Sequence, residues 1–380
     1  MEGLKLASPL LFKGSSAVSG LSTCILVMAL VTGCGSGSTS MPASPVSNAN
    51  WVLAGNTGMT GNVYIISDPR GYLYAASNDG TGGFATSTNG GVTWSPFNSG
   101  SPTPCHWGMG LNDLGEVMAG YLPNNNVIAC NTSQKHYLLR LVGNGNTWTA
   151  TNYPATDPVM AFVIAFGVAG NGNVIAAGSG GLYYSTDHGS TWNQPTTAPP
   201  VATCGEKLSL STSSNGTISV STADCTDYYS TDGGVNWTAF PQGIPFQGFQ
   251  DNTNFLAPNG MLLDSWDGGH GTYCYGPQPP PNGNWSTCDT GLDIRHGVEA
   301  GGVVVNLSKT KLFVANGGFG CGIYMSTNNG QNWSTFNSGL PSDPSTKCGG
   351  ADVRAITMDN SGFLYAILNS GPVYKTVAPQ

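Results

Sequence analysis

The sequence of 380 residues is short of charge and of long apolar runs. Only 8% of the residues are charged, with 12 Lys and Arg against 20 Asp and Glu and a formal net charge of -8. Because a protein neutralises phosphates with clustered cations, this composition argues against a nucleic-acid partner. A weakly charged surface with many amides and aromatic rings suits neutral ligands better.

Residues with specialised chemistry are also scarce. The chain has only four glutamates and four arginines. It contains no Cys-x-x-Cys pair and no His-rich spacing, so we predict neither a metal site nor a cofactor. Glycine is abundant at 55 residues, together with Asn, Ser and Thr, which is typical of a β-protein with many tight turns.

The first fifty residues predict a targeting segment. Lys5 and Lys13 precede an apolar run that is too short for a membrane span and ends before Cys34. The sequence Val31-Thr-Gly-Cys34 resembles the lipobox of bacterial lipoproteins. That resemblance implies a signal peptide over residues 1–33, lipidation of Cys34 and a Gly/Ser/Pro-rich tether over residues 34–50. It also implies an exported protein held by its lipid at the outer membrane, the cell surface or the periplasm. An ordinary cleaved signal peptide is the alternative.

Seven of the nine tryptophans form a near-regular series with gaps of 43 to 54 residues. The series is Trp51, Trp94, Trp148, Trp192, Trp237, Trp285 and Trp333. Four members close a similar octapeptide, Ser87–Trp94, Ser185–Trp192, Ser230–Trp237 and Ser326–Trp333. A repeat of this length, with short strands between Gly/Asn/Asp turns, predicts radially arranged four-stranded blades, a β-propeller over residues 51–380.

The two ends of the repeat predict how the ring closes. Residues 349–380 contain three predicted strands and no tryptophan, whereas Trp51 has no hairpin before it. Joining the N-terminal strand to the last repeat completes a seventh blade and leaves no open sheet edge. The predicted fold is all-β, a seven-bladed β-propeller of four-stranded antiparallel blades.

The octapeptide resembles the Asp-box, or bacterial neuraminidase repeat. Asp187 and Asp232 occupy its acidic position, and Asn89 and Asn328 replace the carboxylate in the other two copies. A carboxylate or amide at this position accepts backbone N–H groups within the turn, and the glycine that follows permits a positive φ. We interpret these four residues as structural and expect the tryptophan to pack between neighbouring sheets.

The Asp-box resembles the repeats of sialidases, xyloglucanase-type glycoside hydrolases, sortilin ectodomains and plant-type photosystem assembly factors. The motif indicates how a blade is built and does not specify chemistry. Sialidase activity is disfavoured. Members of the sialidase family have a six-bladed ring, an Arg-Ile-Pro motif and three arginines that clamp the substrate, whereas this sequence has four arginines in all and no Arg-Ile-Pro. Xyloglucanase-like enzymes carry two propellers with the substrate between them, and this sequence predicts one.

One face of the predicted ring collects the candidate site residues. The loops that lead into each innermost strand and the loops between second and third strands form this end, which we call the loop face. The octapeptide turns lie on the opposite end, the turn face.

Eight cysteines remain after Cys24 and Cys34, and an even number in an exported chain indicates disulfides. The blade arrangement predicts the pairs Cys105–Cys130, Cys204–Cys225, Cys274–Cys288 and Cys321–Cys348.

The scarce ionisable residues and two tryptophans outside the series favour the loop face. A glycoside hydrolase needs two carboxylates, and Glu299 with Asp352, from adjacent blades, is the predicted catalytic pair. Glu206, Asp251 and His296 are the reserve. The residues predicted to contact a ligand are His106, Trp107, Trp266, Asp267, His270, Arg295 and Arg354.

The sequence leaves the function open between two classes. The first is an enzyme that acts on polysaccharide, either a glycoside hydrolase or a lyase in which His296 is the base and Arg354 neutralises a uronate. The second is a non-catalytic, monomeric propeller whose loop face binds a glycan or an envelope protein as a scaffold or assembly factor. The low charge favours binding, and nothing in the sequence requires catalysis.

Overall fold

The structure of the protein is a computed structural model. It describes residues 49–59, 63–77, 83–97, 105–122, 137–145, 147–153, 163–178, 181–199, 210–213, 215–221, 227–241, 252–266, 271–276, 283–292, 300–316, 320–346, 348–369 and 371–380. The predicted signal peptide and most of the predicted tether, with Cys34, lie outside these residues. Among them, no helix has the length and apolarity needed to cross a bilayer.

Seven antiparallel sheets form the seven blades of a propeller, as predicted. Blade 1 contains β2 (Val63–Ser67), β3 (Leu73–Ser77), β4 (Phe84–Ser87) and β5 (Ser95–Pro96). Blade 2 contains β6 (Cys105–Leu111), β7 (Val117–Leu122), β8 (Tyr137–Arg140), a 3-10 turn (Val142–Asn144) and β9 (Thr149–Ala150). Blade 3 contains β10 (Val163–Val168), β11 (Val174–Gly178) and β12 (Gly181–Ser185). Its fourth strand is reduced to one bridge between Tyr184 and Asn193.

The remaining blades repeat the same meander. Blade 4 contains β13 (Leu210–Thr212), β14 (Ile218–Ser221), β15 (Asp227–Ser230) and β16 (Thr238–Ala239). Blade 5 contains β17 (Asn252–Leu256), β18 (Leu262–Trp266), β19 (Gly271–Gly276) and β20 (Asn284–Thr287). Blade 6 contains β21 (Ala300–Val305), β22 (Leu312–Asn316), β23 (Gly322–Ser326) and β24 (Ser334–Thr335). Blade 7 contains β25 (Val353–Met358), β26 (Leu364–Leu368), β27 (Pro372–Thr376) and β1 (Trp51–Asn56).

The second strand of each blade explains why these sequences pack radially. Strands β3, β11, β22 and β26 are buried at every residue, because neighbouring blades cover both faces of the sheet. A strand covered on both faces reads as a continuous apolar run, as in Leu-Tyr-Ala-Ile-Leu of β26. The core is therefore a set of apolar layers between adjacent blades.

The Asp-box turns have the predicted structural role. Asp187 Oδ1 accepts the backbone N–H of Thr191 (2.8 Å), and Asp232 Oδ1 accepts that of Asn236 (2.9 Å). Asn328 Oδ1 makes the same bond at 3.0 Å without a charge. The glycine of each turn has a positive φ, for example +82° at Gly234. The Asp187 and Asp232 carboxylates therefore stabilise their turns by accepting backbone hydrogen bonds.

Five of the seven tryptophans of the series join two blades through a hydrogen bond, whereas Trp94 and Trp237 donate to Gly91 O and Gly234 O of their own turns. Five indole N–H groups donate to the preceding blade: Trp51 to Phe336 O, Trp148 to Phe97 O, Trp192 to Thr151 Oγ1, Trp285 to Pro241 O and Trp333 to Cys288 O. Rings that follow the fourth strand meet the next tryptophan, as Phe97 meets Trp148 with centroids 5.9 Å apart. These pairs form the seams of the ring.

Strand β1 closes the ring against β27. The two strands pair antiparallel from Trp51 opposite Thr376 to Asn56 opposite Pro372. Trp51 is only 1% exposed, and its Nε1 donates to Phe336 O of blade 6 at 2.7 Å. The predicted closure is confirmed.

Two of the four predicted disulfides are present. Cys274–Cys288 links the third strand of blade 5 to the residue after its fourth strand. Cys321–Cys348 links blade 6 to the segment that enters blade 7, with Cα atoms 4.9 Å apart. For Cys105 only the backbone is described, and Cys130, Cys204 and Cys225 lie outside the described residues.

Candidate functional site

The described residues give a partial view of the loop face. Seven predicted site residues lie outside them: Glu206, Asp251, Asp267, His270, Arg295, His296 and Glu299. For His106 and Trp107 in β6 and for Trp266 at the end of β18, the backbone is described and the side chain is not. Asp352 and Arg354, at the start of β25, are the two candidates described completely.

Four innermost strands carry a β-bulge near the end that enters from the loop face. The pairing register shifts between His106 and Gly108 in β6, between Val163 and Ala165 in β10, between Ala300 and Val303 in β21, and between Val353 and Ala355 in β25. A bulge adds one residue to a strand and redirects the local chain. In β6 and β25 the added residues are Trp107 and Arg354, two residues that the sequence indicated for ligand contact.

The Arg354 guanidinium forms an ion pair with Asp352 two residues earlier. The Arg354 Nη2 to Asp352 Oδ2 distance is 2.7 Å, and the two side chains are 25% and 14% exposed. Asp352 O also accepts the backbone N–H of Asn369, which follows the second strand of the same blade. The pair is thus fixed by the bulge and by its own blade while both polar ends keep some contact with solvent.

This ion pair bears on the catalytic hypothesis for Asp352. A general acid must approach the glycosidic oxygen of the substrate, whereas Asp352 Oδ2 is already engaged by the Arg354 guanidinium. The predicted partner Glu299 lies outside the described residues, so the separation of the two carboxylates stays a prediction. What the described part of the site offers is a paired donor and acceptor with no net charge.

The turn face carries a second set of charges, which hold blades together. Arg140 Nε donates to Glu116 Oε2 at 2.5 Å, and Arg140 Nη1 reaches Ser190 of blade 3 at 2.7 Å. Burial alone would raise the pKa of Glu116, but hydrogen bonds from the Arg140 side chain, the Gly143 N–H and Asn112 outweigh it and lower the pKa. Both Glu116 and Arg140 are buried, so this network is structural.

An exposed contact lies beside that network. His188 Nδ1 is 2.6 Å from Asp113 Oδ2, which joins the Asp-box turn of blade 3 to the first turn of blade 2. Within the part of the chain that the structure describes, no three His, Cys, Asp or Glu side chains come together as a metal site. The sequence did not indicate the Glu116–Arg140 and Asp113–His188 pairs, because each joins residues of different turns.

The ring and its recurring turn define a seven-bladed β-propeller of the Asp-box type. Residues 228–239 match the family model described as BNR/Asp-box repeat. They run from the third strand of blade 4 through its octapeptide into the fourth strand. No curated protein sequence matches the chain.

Solved structures share the fold at low sequence identity. "YCF48 bound to D1 peptide" is 16% identical with a TM-score of 0.57, and the match covers 89% of this chain and 100% of that one. The GH74 xyloglucanase from Xanthomonas campestris is 15% identical with a TM-score of 0.59, covering 85% of this chain and 53% of the enzyme. Virginiamycin B lyase from Staphylococcus aureus is 12% identical with a TM-score of 0.58, covering 86% and 97%. These similarities establish the fold alone.

Proposed function

We propose that this protein is a propeller that binds a neutral glycan on its loop face without cleaving it. The Asp352–Arg354 ion pair is the observation that supports this proposal most directly. A carboxylate beside a guanidinium offers acceptors and donors close together, which suits the adjacent hydroxyls of a sugar ring. The pair adds no net charge, in keeping with a chain of which only 8% is charged.

The architecture also favours binding over hydrolysis. The match to the xyloglucanase covers 53% of that enzyme, so this ring corresponds to about half of it. Xyloglucanase-type enzymes carry two propellers and bind the substrate between them, whereas the described residues form one ring. A carboxylate engaged by a guanidinium is better suited to holding a glycan than to protonating its glycosidic oxygen.

A polysaccharide panel tests this function. We expect the wild-type protein to bind at least one neutral polysaccharide in affinity electrophoresis and to release neither reducing ends nor unsaturated uronate. Asp352→Asn and Arg354→Lys should each weaken binding about tenfold, because one loses the carboxylate charge and the other the planar guanidinium. Asp113→Asn, which alters the exposed ion pair of the turn face, is the matched control and should bind normally.

Two results would count against the proposal. Unchanged binding by Asp352→Asn and Arg354→Lys would exclude this pair from the site. Reducing-end release by the wild type that disappears in both Asp352→Asn and Glu299→Gln would establish the glycoside hydrolase predicted from the sequence.

A peptide or protein partner is the second candidate. The observation that favours it is the match to YCF48 bound to the D1 peptide, which covers that chain completely. In this alternative, the loop face of one ring would bind an extended segment of an envelope protein. Co-purification of a single protein that is lost in Arg354→Lys, with no binding to the polysaccharide panel, would favour it.

We also propose that the protein is an exported lipoprotein. The lipobox-like Val31-Thr-Gly-Cys34 motivates this, and the disulfides Cys274–Cys288 and Cys321–Cys348 support an oxidising compartment. Radiolabelled palmitate should be incorporated by the wild type in a bacterial host and not by Cys34→Ser. Equal labelling of both would rule out lipidation at Cys34.

A further inference from the structure

A cavity on the turn face is a candidate for a second binding site. It has a volume of about 390 Å³ and opens between the first turn of blade 1 and the 3-10 turn of blade 2. We call it the blade 1–2 groove and define it by Arg70, Tyr72, Thr88, Ser95, Phe97 and Asn144. None of these residues belongs to the loop face, and a volume of this size is within the range of small-molecule sites.

Arg70 is fixed in this groove with one N–H donor left for a ligand. Its guanidinium carbon lies 4.4 Å from the centroid of the Tyr72 ring. Its Nε donates to Asp68 Oδ2 (2.7 Å), and its terminal nitrogens donate to Tyr74 Oη (2.7 Å) and Asn144 O (3.3 Å). Its Nη2 also contacts Asp68 Oδ2, so of the five N–H donors of a guanidinium one, on Nη1, remains for a ligand, and the side chain is 40% exposed.

The charges around the groove cancel. The Arg70 guanidinium is paired with Asp68, whose side chain is fully buried. The nearby Glu116, which accepts the N–H of Gly143, is paired with Arg140. Among the described residues around the groove, an acidic ligand would therefore find no uncompensated cation, and this lining favours a neutral ligand.

The phenol beside the guanidinium stays protonated. Burial and the neighbouring Asp68 carboxylate raise the pKa of Tyr74 to about 12. At neutral pH this side chain therefore adds no negative charge to the groove.

Asn144 lines the groove in a fixed orientation. Its Nδ2 donates to Gly115 O at 3.2 Å, which fixes the orientation of the amide. Its Oδ1 is buried and accepts no hydrogen bond within the described structure. This oxygen is closed to solvent, so a ligand in the groove meets the Asn144 side chain as part of the wall and does not bond to Oδ1. Asn144 also has φ +49°, an uncommon value for a residue other than glycine.

Hydroxyl groups and a ring complete the groove. Thr88 and Ser95 line it and form no side-chain hydrogen bond with any described residue. Phe97 is partly buried and packs its ring against Trp148 with centroids 5.9 Å apart. An apolar ring beside exposed hydroxyls and a guanidinium N–H matches a sugar, which has an apolar C–H face and hydroxyl groups at its edge.

We propose that the blade 1–2 groove is a binding site for a neutral saccharide of one or two units, separate from the loop face. The ligand hydroxyls exchange hydrogen bonds with the exposed Thr88 and Ser95 and accept one from Arg70, and the sugar face lies on Phe97. Glycan binding at both ends of the ring would let one propeller hold two chains or two parts of one chain. This proposal is independent of whether the loop face binds glycan.

Isothermal titration of the full-length protein with tetrasaccharides of glucose, xylose and mannose tests the groove. Thr88→Val and Asn144→Gly remove groups from the groove, and glycine tolerates the positive φ at residue 144. Thr327→Val and Asn329→Gly are the matched controls in the Asp-box turn of blade 6, where Asn329 has φ +58°. Circular dichroism and tryptophan fluorescence verify that each variant is folded.

We expect one of these neutral tetrasaccharides to bind, and each groove variant to weaken the association constant about tenfold while the controls stay within about twofold. Asp352→Asn and Arg354→Lys should leave this binding intact, which separates the groove from the loop-face site. Binding that is equal in Thr88→Val, Asn144→Gly and the wild type would overturn the proposal. The same holds for no binding of any neutral tetrasaccharide, and for tighter groove binding of trigalacturonate or of a peptide.

Discussion

At the scale of single residues, the acidic position of the Asp-box is occupied by a carboxylate in some turns and by an amide in others. Asp232 Oδ1 accepts the Asn236 N–H, and its Oδ2 accepts the Asn236 side chain at 2.7 Å. Asn328 provides the same backbone acceptor in blade 6 without a charge. The turn therefore requires an acceptor of this length, and the charge adds only electrostatic strength.

Because Asp232 can be charged and Asn328 cannot, the contribution of Asp232 to stability should depend on pH. Burial alone would raise the pKa of Asp232, but hydrogen bonds from the Asn236 N–H, the Asn236 side chain and Ser230 outweigh it and hold the pKa below its usual 3.8. A carboxyl with a depressed folded pKa stabilises the protein above its unfolded pKa, and this contribution is lost as the pH falls through the folded value. In Asp232→Asn, the free energy of unfolding measured in urea should therefore lie below that of wild type at pH 7 by about 1 kcal/mol or less, because the turn is exposed.

The difference between Asp232→Asn and wild type should shrink below about pH 4 and vanish once Asp232 is protonated in the folded chain. Urea unfolding from pH 7 downwards measures it. Asn328→Asp in blade 6 is the reciprocal variant and should acquire a stability advantage only above the same range. A difference for Asp232→Asn that is constant with pH would mean that the carboxylate charge does not stabilise the turn.

At this scale, the sequence predicted the role of Asp187 and Asp232 because the octapeptide fixes every partner within five residues. The pairing of Asp352 with Arg354 was not predicted, since in a regular strand residues two apart share a face without a set contact. The bulge in β25 brings the two groups together, and a register shift leaves no local sequence signal.

At the scale of elements, the seam between adjacent blades is the main stabilising unit. Phe240 follows the fourth strand of blade 4 and is 3% exposed. Its ring meets Tyr275 of blade 5 with centroids 5.5 Å apart and Trp285 at 6.5 Å. Phe97 and Phe336 occupy the same place after their own octapeptides, three residues beyond the tryptophan. The sequence contains this second aromatic position, but its meaning depends on which blade lies next to it.

Removing this ring should create a cavity that two sheets share. We expect Phe240→Ala to lower the free energy of unfolding by about 3–5 kcal/mol, because neither blade can collapse alone into the space. Phe240→Leu keeps most of the volume and should cost less than about 1.5 kcal/mol. Val142→Ala, at an exposed valine of blade 2, is the control and should change stability by less than about 0.5 kcal/mol.

Guanidinium unfolding at fixed pH measures all three variants. If Phe240→Ala were as stable as Val142→Ala, the aromatic seam would not stabilise the ring, and the tryptophans alone would have to join the blades.

At the scale of the whole molecule, closure converts seven sheets into a structure without edges. The sequence predicted the blade count and the closing strand, because the tryptophan series has a fixed period and two incomplete ends. It predicted much less of the site, since a site on a propeller is assembled from loops of different blades whose distances no repeat specifies. The blade 1–2 groove is an example, because Arg70 and Asn144 are 74 positions apart and meet only in the closed ring.

The closing strand should control the association state of the protein. Residues 49–380 keep β1 and should be monomeric, whereas residues 57–380 lack it and leave the edge of β27 unpaired. An exposed strand edge pairs readily with another chain, so the shorter form should dimerise or aggregate. It also loses Trp51, whose burial against Phe336 joins blades 6 and 7. Light scattering after size exclusion measures the mass of both forms, and a synthetic peptide of residues 49–58 should return the shorter form to monomer by adding the missing strand. If residues 57–380 were monomeric with an unchanged urea midpoint, the Cys321–Cys348 disulfide and the remaining seams would suffice to hold the ring, and β1 would not be the element that closes it.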